Sequence, residues 1–307
     1  MIKIYQKTVK NPQLKTRSKF EPGSWIYVEN PTPEELRSLE KDYSLDLGLL
    51  KDAIDPFEMP RMEIEDDVTY VYTRVPYEEG KARIETVPVM IGIGSDFLIT
   101  VSREPLPLFK KFSEEKINFY TTQKTKLLLQ IFSQINGTYN AFLTGINRRV
   151  QQISVRPERV GDKEILQFVT FEETLNAFVS DLVPTSSILK NLLSGKLLRL
   201  FEEDKDLVED ILLSTEQLVE TSKSNLKTIV NIREAYSAIM TNKLNRVIKI
   251  LTVLTILLTV PTIIASLYGM NITLPLAQSP LAFWGILSAI GTITAVLLLI
   301  FIKSDWL

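Results

Sequence analysis

Hydrophobic residues follow a strand-like pattern over the first part of the chain. Short runs of β-branched and aromatic residues are bounded there by Gly, Asp, Glu or Pro, which is typical of strands. The strands predicted in this way cover residues 24–28, 68–72, 87–91 and 97–101. After the first of them, Thr32 and Glu35 can form a capping box with Pro33 at the first helical position, and a short helix is predicted at 47–53. Residues 1–105 are therefore expected to form an α/β domain.

Farther along the chain, the hydrophobic pattern becomes helical. Helical spacing covers residues 108–155, about 162–193 and 202–268. The last segment opens with the acidic turn Glu202, Glu203 and Asp204, which complements a helix dipole, and it contains no proline or glycine before Pro261. It is expected to be one long helix that enters a membrane without a break. Residues 106–249 thus form a helical domain that includes this stalk helix.

A stretch without charge follows the stalk. No Asp, Glu, Lys or Arg occurs from Ile250 to Ile302, which is long enough for two bilayer crossings of about 20 residues each. Pro275 and Pro280 lie among turn-forming residues and predict a loop between the crossings. The transmembrane domain, residues 250–307, then divides into a first span at about 250–268, an external loop at 269–280 and a second span at about 281–302. A buried helical hairpin in a soluble core is the alternative, although such helices seldom lack charge for so long.

Flanking charges predict how the spans are oriented. Arg233, Lys243, Arg246 and Lys249 precede the first span, Lys303 follows the second, and the loop carries no basic residue. The positive-inside rule places both termini in the cytoplasm. We therefore expect a multi-pass protein of the cytoplasmic (inner) membrane, with the lipid bilayer as a partner and the large N-terminal part as a cytoplasmic head.

The composition excludes several classes of function. The chain has neither Cys nor His, which removes thiolate and imidazole metal sites and the usual catalytic triads. With 35 Lys and Arg against 37 Asp and Glu, no basic excess favours nucleic acid. Because no motif pairs a nucleophile with a base, an enzyme is not expected.

The first span carries a single polar stripe. Its polar side chains are all hydroxyls, and they belong to Thr252, Thr255, Thr259, Thr262 and Ser266. Their spacing of three and four residues places them on one face of a helix, and the same face reaches back to Asn245. Such a stripe is consistent with an aqueous pore, but Ser and Thr also bond back to their own helix or join helices in membranes. A pore would require several copies of the chain, because two spans cannot enclose one.

The exit of the first span resembles that of a known family. Gly269, Met270 and Asn271 stand where the span ends, before a short proline-containing loop and a second span. This arrangement resembles the CorA family of magnesium channels, in which Gly-Met-Asn at this place is the signature. Further similarity lies in residues 241–251, 50–54 and 60–63.

The resemblance implies an architecture and an activity. It implies a funnel-shaped homopentamer with an α+β cytoplasmic head, a long helical stalk and two C-terminal transmembrane helices. It also implies passive Mg²⁺ uptake driven by the membrane potential, often with Co²⁺ or Ni²⁺ accepted. No cofactor is implied, and the only ions are the transported and regulatory divalent cations.

The family pattern also implies roles for pore residues. Asn271 falls on an external ring that holds the hydrated ion, and Mg²⁺, which sheds water reluctantly, suits such oxygen ligands. Thr262 and Asn245 match polar rings, while Leu251 matches a hydrophobic constriction, although the hydroxyl stripe itself selects the neighbouring Thr252. The candidate pore residues are Gly269, Met270, Asn271, Thr262, Thr259, Thr255, Leu251 and Asn245.

An intracellular sensor is implied as well. In the family, divalent ions bridge acidic residues of neighbouring subunits, and the matching positions here are Asp52 and Asp210, with Glu209 adjacent. Lys51 stands where the family often has an acidic residue, which would weaken such a site. Asp210 can also belong to an ordinary solvated acidic face.

Two other functions remain open from the sequence. Relatives with the same signature transport Zn²⁺, some of them by proton coupling, and the missing His and Cys argue only mildly against this. A membrane-anchored assembly or sensor protein without ion flux would leave the cytoplasmic head as the functional part.

Overall fold

The computed structural model describes residues 1–79, 83–154, 160–195, 200–272, 279, 281–304 and 306. These residues form two compact units, 1–232 and 233–307. The division at residues 105 and 249 that the sequence suggests stays a prediction.

The first unit contains a seven-stranded mixed sheet. Its strands are β1 (Ile2–Gln6), β2 (Lys15–Arg17), β3 (Ser24–Glu29), β4 (Arg61–Glu65), β5 (Val68–Glu79), β6 (Arg83–Ile93) and β7 (Phe97–Ser102). They follow the order β2-β1-β3-β7-β6-β5-β4, in which β3 and β7 are parallel. The four predicted strands are confirmed within β3, β5, β6 and β7, whereas β1, β2 and β4 were not predicted.

The helices agree with the sequence pattern except at one place. They are α1 (Pro33–Tyr43), α2 (Leu47–Asp52), α3 (Pro107–Ser113), α4 (Lys124–Ser154), α5 (Asp162–Leu193), α6 (Glu202–Tyr268) and α7 (Ala282–Lys303). The expectation of one helical stretch over residues 108–155 is wrong, because ten residues, 114–123, separate the end of α3 from the start of α4. Val155 itself lies outside the described residues.

Tertiary contacts explain the break between α3 and α4. Phe119 lies between these helices and packs edge-on against Trp25 of β3, with ring centroids 5.8 Å apart. The Thr121 N–H donates to the Lys7 carbonyl oxygen at 2.9 Å, and the Lys7 N–H donates to Thr121 Oγ1 at 3.0 Å. The Trp25 indole N–H donates to Thr100 Oγ1 at 3.0 Å and is completely buried. These contacts hold the segment in a non-helical conformation, which local helical spacing does not reveal.

Helices α1 and α2 share a core with the sheet. The Glu35 N–H donates to Thr32 Oγ1 at 3.2 Å, and the Thr32 N–H donates to Glu35 Oε2 at 2.9 Å, so the predicted capping box is confirmed. Leu36 and Leu39 of α1 and Leu50 of α2 are buried in this core. Asp52, a candidate site residue, is therefore held at the end of a packed helix.

A buried polar network joins the sheet to α4 and α5. Asp181 of α5 is only 3% exposed, and its Oδ1 lies 3.4 Å from Nε of Arg74 on β5. The Tyr139 hydroxyl of α4 donates to Asp181 Oδ2 at 3.2 Å. Arg74 also donates to the carbonyl oxygens of Pro56 at 3.0 Å and Thr86 at 2.6 Å. The guanidinium thus keeps hydrogen-bond partners besides Asp181.

The second unit consists of the C-terminal part of α6 together with α7. Both helices are long and apolar enough to cross a membrane, as the sequence predicts. No described residue of α7 is buried, and α6 remains helical through Pro261. Residues 273–278 and 280 of the predicted external loop lie outside the described residues.

Candidate ion pathway and divalent-cation sensor

The C-terminal end of α6 presents the Gly-Met-Asn segment. The Gly269 N–H donates to the carbonyl oxygens of Ala265 at 3.0 Å and Ser266 at 3.2 Å, which closes the last helical turn. Met270 and Asn271 follow directly and are exposed. The three signature residues therefore lie together just past the helix end, and the Asn271 carboxamide is free to meet solvent.

Threonine hydroxyls of the polar stripe bond back to their own helix. Thr252 donates to Ile248 O at 2.8 Å, Thr255 to Leu251 O at 2.8 Å, and Thr262 to Leu258 O at 2.7 Å. This is one of the two roles that the spacing left open. The hydroxyl oxygens are not saturated by it, because each donates one hydrogen and keeps acceptor capacity. Water or a hydrated ion can therefore still donate to these oxygens.

The part of the stripe nearest the C-terminal end of α6 lines a groove. A cavity of about 410 Å³ runs along α6 and brings Thr259, Thr262 and Ser266 together with Met270. Its apolar lining comes from Leu258, Ile263 and Leu267. The groove thus combines hydroxyl oxygens with apolar side chains and ends beside the signature segment.

The part of α6 that precedes this groove exposes its candidate residues. Leu251 is 62% exposed and Asn245 is exposed too, whereas Val253, two residues farther on, is 1% exposed. Val253 therefore faces the interior of this unit, and Leu251 points away from it. An apolar side chain this exposed on a membrane helix is available to lipid or to another copy of the chain.

A cation–π contact joins the beginning of the first span to the end of the second. The Lys249 ammonium lies 6.0 Å from the ring centroid of Trp306, which also contacts Phe301 at 5.8 Å. Trp and Lys are favoured where a membrane meets water. This role of Trp306 was not predicted, because the contact depends on how the two helices pair.

Asp52 is held by a guanidinium. Arg61 Nη2 donates to Asp52 Oδ2 at 2.7 Å, Arg61 Nε donates to Glu58 at 2.6 Å, and Nη1 also pairs with Glu63. Burial opposes the charge on Arg61, but the hydrogen bonds to Glu58 and Glu63 outweigh it and raise the Arg61 pKa. Lys51, which precedes Asp52 in the sequence, is exposed. The sequence pointed to residues 60–63 as a similarity but gave Arg61 no role.

Asp210 borders a polar cavity between α4 and α6. The cavity is about 490 Å³, and Asn136, Ser133 and Ser214 share its lining. The Asn136 amide N–H₂ donates to α6 at Ile211 O, 3.1 Å away, while its buried Oδ1 has no hydrogen-bond partner. No sequence pattern identifies Asn136 as a candidate residue.

The acidic candidates do not form a complete metal site in one chain. Glu209 and Asp210 are both exposed on α6. Over the part of the chain that the structure describes, no three His, Cys, Asp or Glu side chains are grouped to hold a metal ion. Asp52, Glu209 and Asp210 therefore remain candidates for a site with ligands from more than one copy.

Comparison with known proteins gives the same fold and one family. Residues 21–303 match the model of the CorA-like Mg²⁺ transporter protein family. The cobalt/magnesium transport protein CorA of Methanocaldococcus jannaschii is 26% identical over 291 residues, which cover 92% of this chain and 91% of that protein.

Two solved structures have the same architecture over nearly their whole length. The complete structure of the CorA magnesium transporter from Methanocaldococcus jannaschii has a TM-score of 0.88 at 24% identity, covering 100% of this chain and 99% of that one. The full-length CmaX protein has a TM-score of 0.80 at 18% identity, with 99% and 97% covered. The match over residues 21–303, with the signature at the end of α6, shows that this chain belongs to the CorA-like Mg²⁺ transporter family.

Proposed function

We propose that five copies of this chain form a channel that admits Mg²⁺ through the cytoplasmic membrane, with Co²⁺ or Ni²⁺ also accepted. The observation that carries the proposal is the Gly269–Asn271 segment at the exposed end of α6, in a chain that belongs to a family of Mg²⁺ transporters. The first span would line the pore, and both termini would be cytoplasmic, as the basic residues flanking the spans favour.

Selectivity is assigned to the Asn271 side chain. Mg²⁺ holds its six waters tightly, so a protein can select the ion by bonding to the hydration shell rather than by replacing it. An exposed carboxamide from each of five subunits would offer a ring of oxygens to those waters. Gly269 and Met270 would set the distance of this ring from the pore axis.

The pore wall is assigned to the polar face of α6. Thr255, Thr259 and Thr262 would present hydroxyl oxygens to water, and the back-bonds of Thr255 and Thr262 would fix their orientation. Leu251 would form a hydrophobic constriction and Asn245 a polar ring on its cytoplasmic side. The exposure of Leu251 and Asn245 in a single chain supports a role that needs other copies.

Gating is assigned to divalent cations bound by the head. Asp52 of one subunit and Asp210 of its neighbour, with Glu209 adjacent, would share an ion and stabilise the closed pore. Carboxylates are the ligands that hard cations prefer. Lys51 would weaken this site relative to a head with an acid at that position.

The transport part of the proposal is tested by ion flux. Proteoliposomes loaded with a Mg²⁺-sensitive dye are given an inside-negative potential, and wild type is compared with Asn271→Ala and with the exposed control Asn191→Ala on α5. We expect Mg²⁺ entry in wild type and the control and its loss in Asn271→Ala, with the oligomer unchanged on gel filtration. Normal entry in Asn271→Ala would overturn the selectivity assignment.

The same assay separates the competing functions. Entry of Zn²⁺ alone, or entry only with a proton gradient, would indicate a zinc transporter of the same superfamily. No flux of any divalent ion would indicate a membrane-anchored assembly or sensor protein.

The sensor is tested by limited proteolysis of the full chain with and without Mg²⁺. Asp210→Lys is expected to abolish protection of the head by Mg²⁺, because it places a cation at the proposed site. Asp206→Lys, an exposed position one turn earlier on α6, is the matched control and should remain protected. Equal behaviour of the two variants would mean that Asp210 belongs to an ordinary solvated face.

A further inference from the structure

Arg61 holds the carboxylate that the proposed sensor needs. Its Nη2 lies 2.7 Å from Asp52 Oδ2, which is hydrogen-bonding distance for a charged pair. The Asp52 side chain is 42% exposed, so a divalent ion can reach it from solvent. Such an ion would have to compete with the guanidinium for the same carboxylate.

Arg61 is fixed by contacts that do not involve Asp52. It begins β4 directly opposite Tyr72 of β5, and its guanidinium carbon lies 4.4 Å from the centroid of the Tyr72 ring. Tyr72 is itself immobilised, because it is buried and its hydroxyl donates to Leu49 O at 2.6 Å. Glu58 binds Arg61 Nε, and Glu63 pairs from the same strand. The guanidinium would therefore stay in place when Asp52 leaves it.

Asp52 is the member of the cluster that can be released. Glu58 is only 14% exposed, and Glu63 is two residues from Arg61 on β4, whereas Asp52 comes from the end of a different element, α2. Three carboxylates share one guanidinium, so Arg61 remains paired with two of them if the third turns away. Release of Asp52 leaves no uncompensated cation behind, and its energetic penalty is accordingly small.

We propose that Arg61 is a built-in competitor of the divalent cation at Asp52 and sets the concentration at which the sensor fills. This inference rests on the proposed role of Asp52. In the ion-free head Arg61 neutralises Asp52; in the ion-bound head Asp52 turns to the metal, and Arg61 keeps Glu58 and Glu63. Arg61 touches no ion itself and acts only through Asp52.

The sign of the effect distinguishes competition from a structural role. Loss of a purely structural arginine would disorder the end of α2 and weaken divalent binding. Loss of a competitor would strengthen it, by up to about fivefold, which is the range spanned by exposed ion pairs. Removing any nearby positive charge also strengthens binding, and Lys51 provides the control, because it is exposed and adjacent to Asp52.

The experiment measures how much Mg²⁺ protects the full-length oligomer from proteolysis. Wild type is compared with Arg61→Gln, Arg61→Lys, Lys51→Gln and Asp52→Asn, and the half-protecting concentration is determined at low and high KCl. We expect Arg61→Gln to need up to about fivefold less Mg²⁺ than wild type, and less than Lys51→Gln. High salt should abolish the decrease in the half-protecting Mg²⁺ concentration of Lys51→Gln and leave most of the decrease in Arg61→Gln. The reason is that salt screens two charges in contact less than two charges that are apart. Arg61→Lys keeps the positive charge but lacks the planar set of donors of the guanidinium. Its half-protecting Mg²⁺ concentration should therefore lie between those of wild type and Arg61→Gln.

Each outcome decides between the sensor and the competition. If wild type is protected and Arg61→Gln needs as much Mg²⁺ as Lys51→Gln, or more, the competition is overturned while the sensor stands. If Arg61→Gln does not fold, an Arg61→Lys variant that needs as much Mg²⁺ as wild type, or more, overturns the competition in the same way. If wild type is not protected, or Asp52→Asn is protected like wild type, the proposed sensor at Asp52 is wrong and this inference falls with it.

Discussion

Asp181 gives the head a pH dependence whose size can be worked out from the structure. Burial raises the pKa of Asp181 to about 6 from an ordinary 3.8, although hydrogen bonds from Thr86 and Tyr139 and the charge of Arg74 act in the opposite direction. A difference of that size corresponds to about 3 kcal/mol between the two protonation states, at about 1.4 kcal/mol per pKa unit. The ionised carboxylate therefore opposes folding by about 3 kcal/mol above pH 6.

The direction in which the free energy of unfolding changes with pH follows from proton binding by Asp181. Because the pKa is higher in the folded state, the native chain binds more protons than the unfolded chain between about pH 4 and 6. The contribution of Asp181 to the free energy of unfolding should then fall as the pH rises through this interval. Tyr139, whose pKa burial raises well above 10, does not titrate there.

The perturbation is Asp181→Asn, which removes the titration. Arg74 loses one partner in this variant but keeps carbonyl oxygens, so any resulting penalty should not vary with pH. Urea unfolding of the full-length chain at pH 4.5 to 7.5 gives the difference between wild type and variant. We expect it to change by about 2 kcal/mol in favour of the variant over this range, because part of the full 3 kcal/mol is already lost between pH 4 and 4.5.

The control is Asp206→Asn, an exposed position where the difference from wild type should stay flat. A flat difference for Asp181→Asn as well would mean that the carboxyl ionises alike in the folded and unfolded chains. Burial would then have no net effect on the pKa of Asp181.

Two further predictions concern the pore wall and the head. Thr262→Val should reduce Mg²⁺ flux by up to about tenfold, because it removes one hydrogen bond to water per subunit, whereas Thr262→Ser should retain flux. Thr292→Val on α7 is the control, because the Thr292 hydroxyl also donates to its own helix, to Ser288 O at 2.9 Å, but lies outside the proposed pore. An equal loss of flux in this control would argue against a pore role for Thr262. Thr32→Ala should lower the free energy of unfolding by about 1 kcal/mol, because α1 loses its N-cap. Urea denaturation should show that Thr32→Ser retains the wild-type value. No change in Thr32→Ala would mean that the capping box contributes nothing to stability.

The sequence predicted those strands whose composition is unambiguous. β7 is apolar and β-branched and is buried on both faces, so its pattern reads directly as a strand. β4 has the sequence Arg-Met-Glu-Ile-Glu at the edge of the sheet, and its charges hide it from any pattern based on apolar residues. β2 has only three residues, two of them basic, and pairs only with β1. These strands exist because a neighbour offers hydrogen bonds, which is not local information.

The candidate site was predictable to the same partial extent. Spacing alone identified the hydroxyl stripe, but it could not separate pore lining from back-bonding, because both roles favour one helix face. The structure shows Thr262 making a back-bond and lining a groove at once. The partner of Asp52 was unpredictable because Arg61 reaches it through the register of β4 on β5. Similarity located the signature segment; only tertiary structure shows what holds the acidic residues.

The parallel pairing of β3 with β7 has a consequence for how the head folds. Ser24 pairs with Phe97, so this central ladder joins two strands that are separated in the sequence by α1, α2 and β4–β6. The β5–β6 hairpin needs only local contacts and can form within microseconds, whereas pairings distant in sequence slow folding. We therefore expect the β3–β7 ladder to form late and to limit the folding rate of the head. Until it forms, the apolar edges of β3 and β7 remain open to association with other chains.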